Sequence, residues 1–441
     1  MPPELRRSLT LPHATAIVVG IIIGASIFIQ PSEITRLVPS VRGMIVAWLA
    51  AGVLTLCGAL VCAELAAVFP ETGGVYVFLK RTFSPALGFL WGWVMFWSVH
   101  SGIIAALAVI LARYIGYFVP LSDAATRVVA GAAVVLLSLV NYLGVKPGGA
   151  VQFIFTAAKL VAILGMVTLL FAFGRPAAPA TIAPPAQPIP FSAYGQAIAA
   201  GLFAFGGWHM VTYTAGETQE AGRTIPRALV LGTLIVTGAY ILLNAAYLHV
   251  LPLQDVASSA RVGAAAMERA LGSRAGGAIA ALVVLSAAGS LNGIILVGPR
   301  VYYAMARDGL AFRWLAAVHP RRQTPHLAIA AQAAWSCLLV ATNTYRQLFT
   351  RVVYTEWIFF ALLAAGLLAL LRRAEYRPTF LIGGYPLAPL LFIVASAGIV
   401  INQIVANMRE SALGLGLIIL GWPVYFFVSQ QPKKATADAH H

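Results

Sequence analysis

The fold of this 441-residue chain is decided by GIIIGASIFIQP, from Gly20 to Pro31, and GLFAFGGWHM, from Gly201 to Met210. Each stretch places small residues inside a hydrophobic segment, the first and the sixth along the chain. Within a bilayer, non-helical backbone survives only where it is buried in protein or lines a cavity. A matched pair of interruptions points to a transporter's substrate site. The alternative is close helix packing, because Gly20 and Gly24 lie four residues apart.

The composition is that of a polytopic membrane protein, with 60% hydrophobic residues, 10% charged residues and a mean hydropathy of +0.86. We expect an all-α fold in one transporter domain, residues 1–429, and a C-terminal tail, 430–441, whose final histidines are a tag remnant. The first span follows two arginines without a cleavage site and reads as a retained helix. Windows of about 20 apolar residues predict twelve transmembrane helices, at 11–37, 43–69, 85–119, 124–144, 150–173, 192–216, 226–252, 276–306, 326–343, 347–371, 384–406 and 411–429.

The formal net charge of +15 could suggest nucleic acid, but the basic residues are scattered over short loops. Their predicted partner is the lipid bilayer, and no nucleic acid is expected. With both termini cytoplasmic, 17 of the 29 Lys and Arg residues fall on the inner side, 11 outside and one within a span. The positive-inside rule therefore favours this orientation in the inner or plasma membrane.

Interruptions in the first and sixth spans divide the chain into two five-helix units. Repeat one covers 11–173 and repeat two covers 192–371, followed by extra helices within 384–429. An odd number of helices per unit turns the second unit upside down relative to the first, so both interruptions meet at the midplane.

The interruptions predict a site for a small zwitterion. Unwinding frees carbonyls near Ile22 and Ile23 and N–H groups near Ala25 and Ser26, and the helix dipole makes the first set electronegative and the second electropositive. Further carbonyls come from the sixth span. Acceptors for an ammonium and donors for a carboxylate, a few ångströms apart, match an α-amino acid.

The same residues carry a family resemblance. GIIIGASIFIQP and GLFAFGGWHM, the latter followed by GETQEAGRTIPRAL, resemble the L-type amino acid transporter branch of the amino acid–polyamine–organocation superfamily. Further similar motifs are PETGGVYVFLKRTF, VKPGGAVQFIFTAAKL, GSLNGIILVGPRVYYAMARDG and GLGLIILGWPVYFF. The resemblance implies the five-plus-five inverted repeat of the LeuT/APC fold, with broken helices 1 and 6, and alternating access. The candidate substrate-binding residues are Ile22, Ile23, Gly24, Ala25, Ser26, Phe203, Ala204, Phe205, Gly206, Ser290, Asn292 and Glu356.

Phe203 matches the aromatic gate of the family, with core packing as the alternative. Three departures concern substrate choice. Ser26 replaces a usual glycine and crowds the carboxylate end, while His209 and Glu356 each replace an asparagine. Glu356 either reaches the distal end of the pocket or lies shallow near the outer face. We expect His209, beside Trp208, to be a hydrogen-bonded packing residue, with titration near neutrality as the alternative.

Lys159 lies about 14 Å into the fifth span, by the rise of a helix, and must have a partner or a function there. The resemblance places it where sodium-coupled relatives hold a cation, which implies sodium independence and exchange. The alternatives are a proton carrier and a buried ammonium capped by first-span carbonyls.

The sequence thus predicts a sodium-independent exchanger of neutral amino acids, with a proton-coupled symporter as the alternative. Alternatives from another class are a non-transporting sensor and an intramembrane enzyme, but no metal-ligand set or catalytic motif lies in the spans. No cofactor or metal is expected. The cysteines are Cys57, Cys62 and Cys337, and the loop YFVPLSDAATRV lacks the cysteine that links animal L-type members to a glycoprotein, so no disulfide-linked heavy chain is expected.

Overall fold

The computed structural model describes residues 5–177, 189–259, 261–272, 275–342, 345–373, 376, 378–383, 385–406 and 408–429. In these ranges the regular structure is helical, apart from one isolated β-bridge between Leu9 and Thr218. The α-helices are α1 (Leu11–Ile22), α2 (Gln30–Leu37), α3 (Val41–Val68), α4 (Val75–Thr82), α5 (Pro85–Val94), α6 (His100–Ile115), α7 (Asp123–Tyr142), α8 (Val145–Phe173), α9 (Phe191–Ala204), α10 (Ala221–Val250), α11 (Leu253–Ser258), α12 (Val262–Leu271), α13 (Ala275–Val297), α14 (Pro299–Arg307), α15 (His326–Thr342), α16 (Tyr345–Leu370), α17 (Leu387–Ala406) and α18 (Met408–Ser429). The predicted tail lies outside the described residues.

Eight helical segments of the described chain are long and apolar enough to cross a membrane. They are Val41–Val68, Pro85–Ile115, Asp123–Tyr142, Pro147–Phe173, Ala221–Val250, Ala275–Arg307, Leu387–Val405 and Ser411–Ser429. Shorter apolar helices cover Leu11–Ile22, His326–Thr342 and Thr355–Leu370. Large apolar side chains such as Val128, Val161 and Phe427 are exposed on the outer helices, as a lipid-facing surface requires. The chain is therefore a multi-pass membrane protein.

Serine side chains start three of the long helices. The hydroxyls of Ser40, Ser84 and Ser122 accept hydrogen bonds from backbone N–H groups three residues ahead, at the first turns of α3, α5 and α7. Such N-caps satisfy donors that a helix start leaves free. The helix boundaries follow from local sequence at these points.

Helix α1 lies at the centre of the bundle, packed against α8, α10 and α13. A Cβ atom on Gly20 would lie 2.1 Å from Nε2 of Gln152 and 2.2 Å from Oγ1 of Thr156. Only glycine allows α1 and α8 to approach this closely. Close helix packing, the alternative considered for the glycine pair, accordingly describes Gly20.

A buried ion pair lies next to the N-terminal segment of the chain. The guanidinium of Arg300 donates to both carboxylate oxygens of Glu217, at 2.8 and 2.9 Å, and both side chains are fully buried. The backbone carbonyl of Glu217 accepts from the N–H groups of Ser8 and Leu9. One residue therefore ties the N-terminal segment to α14.

Glu64, near the end of α3, has the structural partner expected for a buried acid. Its carboxylate accepts from the Tyr376 hydroxyl at 2.6 Å and from the backbone N–H of Ile382 at 3.0 Å. Burial, aided by this hydrogen bond, raises the pKa of the Tyr376 phenol above its ordinary value. The contact fastens the segment after α16 to α3.

We predict that Glu217→Gln lowers the thermal midpoint of the detergent-solubilised protein, because Arg300 then remains as an uncompensated buried charge. Breaking such a pair costs about 3–5 kcal/mol. Glu220→Gln is the matched control, since Glu220 and Arg223 form an exposed pair at 3.9 Å that contributes at most about 1 kcal/mol. Equal midpoints for the two variants would contradict the role assigned to Glu217.

Candidate functional site

The backbone leaves the α-helix between Ile22 and Ser26. Helix α1 ends at Ile22, a short 3₁₀ turn covers Ser26–Phe28, and α2 starts at Gln30. The N–H of Gly24 turns back to the carbonyl of Ile22 at 2.7 Å. Within the described chain, the backbone N–H groups of Ala25 and Ser26 donate to no backbone carbonyl outside this 3₁₀ turn. These donors can bind an anionic group.

A second departure from α-helix geometry follows α9. That helix ends at Ala204, and a 3₁₀ helix runs over Trp208–Glu217. Gly207 joins them with φ of +93°, a left-handed conformation that favours glycine. A Cβ there would lie 2.4 Å from Cγ2 of Ile21, so the second irregular segment contacts the last turn of α1, next to the first irregular segment.

A cavity of about 100 Å³ lies beside both irregular segments. The predicted site residues that line it are Ile22, Gly24, Ser26, Phe203, Gly206 and Glu356. The remaining lining comes from Ile21, Ile29, Gln30, Gly102, Ile103, Ala106, Leu107, Ile110, Leu202, Gly207, Trp208, Met210, Ile294, Trp357 and Phe360. The predicted residues outside the lining are Ile23, Ala25, Ala204, Phe205, Ser290, Asn292 and Lys159. The cavity is thus largely apolar, and its polar groups come from the irregular backbone and from the side chains of Ser26, Gln30 and Glu356.

The α6 wall, Gly102 to Ile110, is absent from the sequence-based candidates. Its lining residues recur every three to four positions, the spacing of one helix face. That periodicity is present in the sequence, yet every buried helix shows it. It identifies a buried face without telling whether a neighbouring helix or a cavity covers that face.

Tyr240 of α10, also missed by the sequence reading, connects the two irregular segments. Its hydroxyl lies 3.0 Å from the carbonyl oxygen of Ile22 and 2.9 Å from that of Ala204. The Ile22 carbonyl also accepts from the N–H of Gly24, whereas the Ala204 carbonyl has no further backbone donor among the described residues. A buried carbonyl without a donor costs about 1–3 kcal/mol. The Tyr240 hydroxyl shares its single proton between the two carbonyls and so links the two irregular segments.

Lys159 of α8 is fully buried behind the first irregular segment. Its ammonium donates to the carbonyls of Gly20 at 2.9 Å, Ile23 at 2.7 Å and Ser286 at 3.1 Å, and the hydroxyl of Ser290 lies 3.4 Å away. This cage of oxygens suits a cation. The contacts match the capped-ammonium alternative, and they leave the cation-substitute interpretation open because both use the same geometry.

The polar residues of α13 stabilise helix contacts. Ser290 donates to the carbonyls of Gly20 and Ile23, at 2.8 and 3.1 Å. The Asn292 amide pairs with the side chains of Asn141 and Gln152, at 2.9 and 3.0 Å. Their polar atoms are engaged in these hydrogen bonds, which explains why neither residue lines the cavity.

Glu356 lines the cavity together with Trp357 and Phe360. It is 6% exposed, which contradicts the wet position considered from the sequence. Its Oε1 lies 4.0 Å from Nε2 of His209. In the described residues no group of three or more His, Cys, Asp or Glu side chains could hold a metal ion.

A family model described as amino acid permease matches residues 9–428. The chain belongs to this family, within the amino acid–polyamine–organocation superfamily. The permease is 30% identical over 426 residues to the serine/threonine exchanger SteT of Bacillus subtilis, covering 96% of this chain and 97% of the relative. It is 28% identical to the human large neutral amino acids transporter small subunit 2, covering 96% and 80%, and 26% identical to the human cystine/glutamate transporter, covering 98% and 87%. These relatives are transporters and not enzymes, which places the permease among amino acid transporters.

We predict that Gly207→Ala lowers the thermal midpoint and abolishes transport, because it adds a clash with Ile21 to a left-handed strain of about 1–2 kcal/mol. Gly206→Ala should keep the fold and reduce transport, since its Cβ meets only the Phe203 carbonyl, at 3.2 Å, beside the cavity. Gly238→Ala is the control, with nothing within 4 Å. Melting curves and uptake assays check the series, and a Gly207→Ala variant with unchanged melting and transport would contradict it.

Proposed function

We propose that the permease is a sodium-independent exchanger of small neutral amino acids that works by alternating access. The observation that carries the proposal is the cavity beside both irregular segments, with the free N–H groups of Ala25 and Ser26 at one place and backbone carbonyls nearby. The substrate carboxylate would accept from the N–H donors. The substrate ammonium would donate to the second lone pairs of the Phe203 carbonyl, which already accepts from the N–H of Gly206, and of the neighbouring carbonyls. Phe203 would act as the gate.

The proposed architecture is twelve transmembrane helices in a single domain, with repeats 11–173 and 192–371 and extra helices within 384–429. Irregular backbone falls at corresponding places, after α1 and after α9, which supports the inverted repeat. The excess of basic residues on one side supports cytoplasmic termini in the inner or plasma membrane. The absence of a cysteine from the loop before α7 supports a permease without a disulfide-linked heavy chain.

Two observations support exchange of small neutral substrates. The relative SteT is a serine/threonine exchanger over nearly the same length. The cavity is also small and mostly apolar. Ser26 adds a hydroxyl at the end that is proposed to bind the substrate carboxylate. Proton-coupled symport remains the second candidate, because Lys159 is a buried titratable group at the first irregular segment.

Counterflow in proteoliposomes tests exchange directly. Vesicles loaded with unlabelled L-serine should accumulate labelled L-serine from a sodium-free medium, whereas empty vesicles should not. In a competition panel over the natural amino acids, small neutral amino acids should inhibit the counterflow of labelled L-serine most strongly. Absence of counterflow for every amino acid in the panel would overturn the proposed function and leave a non-transporting sensor or an enzyme.

We predict that Lys159→Ala reduces counterflow about tenfold or more, because the carbonyls of Gly20 and Ile23 lose their charged donor and keep only the hydroxyls of Ser286 and Ser290. A hydrogen bond to a charged group contributes about 1.5–3 kcal/mol. Lys159→Gln keeps hydrogen-bond donors but has no charge. It should show more counterflow than Lys159→Ala if hydrogen bonding, rather than the charge, is the main contribution of Lys159.

Wild-type counterflow should be the same in sodium and potassium media. Uptake that is driven by a pH gradient in the wild type and loses only this response in Lys159→Ala would favour the proton-carrier alternative.

A further inference from the structure

Three unpartnered buried polar atoms lie close to the cavity, on the side chains of His209 and Glu356. In the described residues, both ring nitrogens of His209 and Oε1 of Glu356 are buried without a hydrogen-bond partner. Buried polar groups are ordinarily paired, so a cluster of orphans calls for a functional explanation.

His209 and Glu356, which contribute these atoms, lie close to each other. The Nε2–Oε1 distance of 4.0 Å is about 1 Å longer than a charge-assisted hydrogen bond. His209 is fully buried in the 3₁₀ helix after Gly207, whereas Glu356 of α16 also lines the cavity.

A charged Glu356 would need a compensating cation. In the described part of the chain, the fully buried cationic side chains are Lys159 and Arg300, and both are engaged elsewhere. An uncompensated buried carboxylate costs several kcal/mol. The nearby group that can carry positive charge is His209, and a single proton on either member makes the pair neutral overall.

The other titratable groups around the pair do not replace this proton. Tyr213 packs its ring edge on His209, and Cys62 of α3 lies within electrostatic range of Tyr213. Behind Tyr213, the ring of His100 on α6 binds the Tyr302 hydroxyl of α14 at 3.0 Å. Tyrosine and cysteine are ordinarily neutral below about pH 8. His100 is fully buried and lies within electrostatic range of His209. Its Nδ1 pairs with the neutral Tyr302 hydroxyl and its Nε2 has no partner among the described residues, and burial without an acidic partner favours the neutral imidazole.

The proposed exchange of neutral amino acids gives this proton a consequence, and the following inference rests on that function. We propose that His209 and Glu356 hold one shared proton, and that this proton keeps the side-chain end of the cavity neutral for neutral substrates. When the proton leaves, the pair carries one negative charge beside apolar walls formed by Ile103, Ile294 and Phe360. A neutral side chain then binds poorly, and a cationic side chain binds better.

The test is counterflow of labelled L-serine, measured at equal internal and external pH from about pH 5.5 to about pH 8.5. This pH range brackets the ordinary pKa of histidine. In the wild type the KM for serine should rise, by up to about tenfold per pH unit above the titration, while inhibition by L-lysine strengthens. Glu356→Gln and the double variant H209N/E356N should show a KM that is independent of pH. His249→Asn, a histidine at the far end of α10, should keep the wild-type profile.

The double variant replaces both groups with uncharged amides and guards against misfolding of the single variant. A wild-type profile that is flat, or one that persists in both variants, overturns the inference while serine counterflow leaves the proposed function intact.

A difference titration in detergent counts the proton without transport. Between the same pH limits the wild type should release one proton more than H209N/E356N, wherever that proton resides in the pair. Equal release would overturn the inference, even if the permease failed to exchange serine.

Discussion

The carbonyl groups freed at Ile22, Ile23 and Ala204 have no helical partner, and a membrane interior offers them no water. The rest of the centre depends on satisfying them. The Tyr240 hydroxyl shares its proton between the carbonyls of Ile22 and Ala204, and Lys159, Ser286 and Ser290 donate around the carbonyl of Ile23. The permease therefore maintains irregular backbone at its core because side chains from α8, α10 and α13 supply donors there.

This arrangement makes the proposed site asymmetric. The carbonyls are already bonded on the side away from the cavity, whereas the N–H groups of Ala25 and Ser26 lack such partners among the described residues. The end that would take a carboxylate is preorganised, and the end that would take an ammonium has to use remaining lone pairs. A substrate that binds both the N–H groups and the carbonyls would complete the hydrogen bonding of the two irregular segments. This is a physical reason for transport to depend on binding.

Much of the architecture could be predicted from the sequence because the bilayer restricts the possible structures. Apolar runs of sufficient length predicted membrane helices, and the ordered motifs predicted the superfamily, as the family match confirmed. The site was harder. Ser290 and Asn292 are polar residues in an apolar span and were natural candidates for the pocket, yet they bond to neighbouring helices. Tyr240 and the α6 wall reach the centre only through tertiary packing, which no local pattern records.

The account's central claim is that an amino acid lies between the two irregular segments with its carboxylate on the N–H groups of Ala25 and Ser26. A cryo-electron microscopy map of the permease in lipid nanodiscs with saturating L-serine measures this directly. The account predicts ligand density in the cavity beside Gly24 and Gly206, with the carboxylate toward Ser26. Continuous α-helix through both segments, or ligand density only at another place, would contradict it.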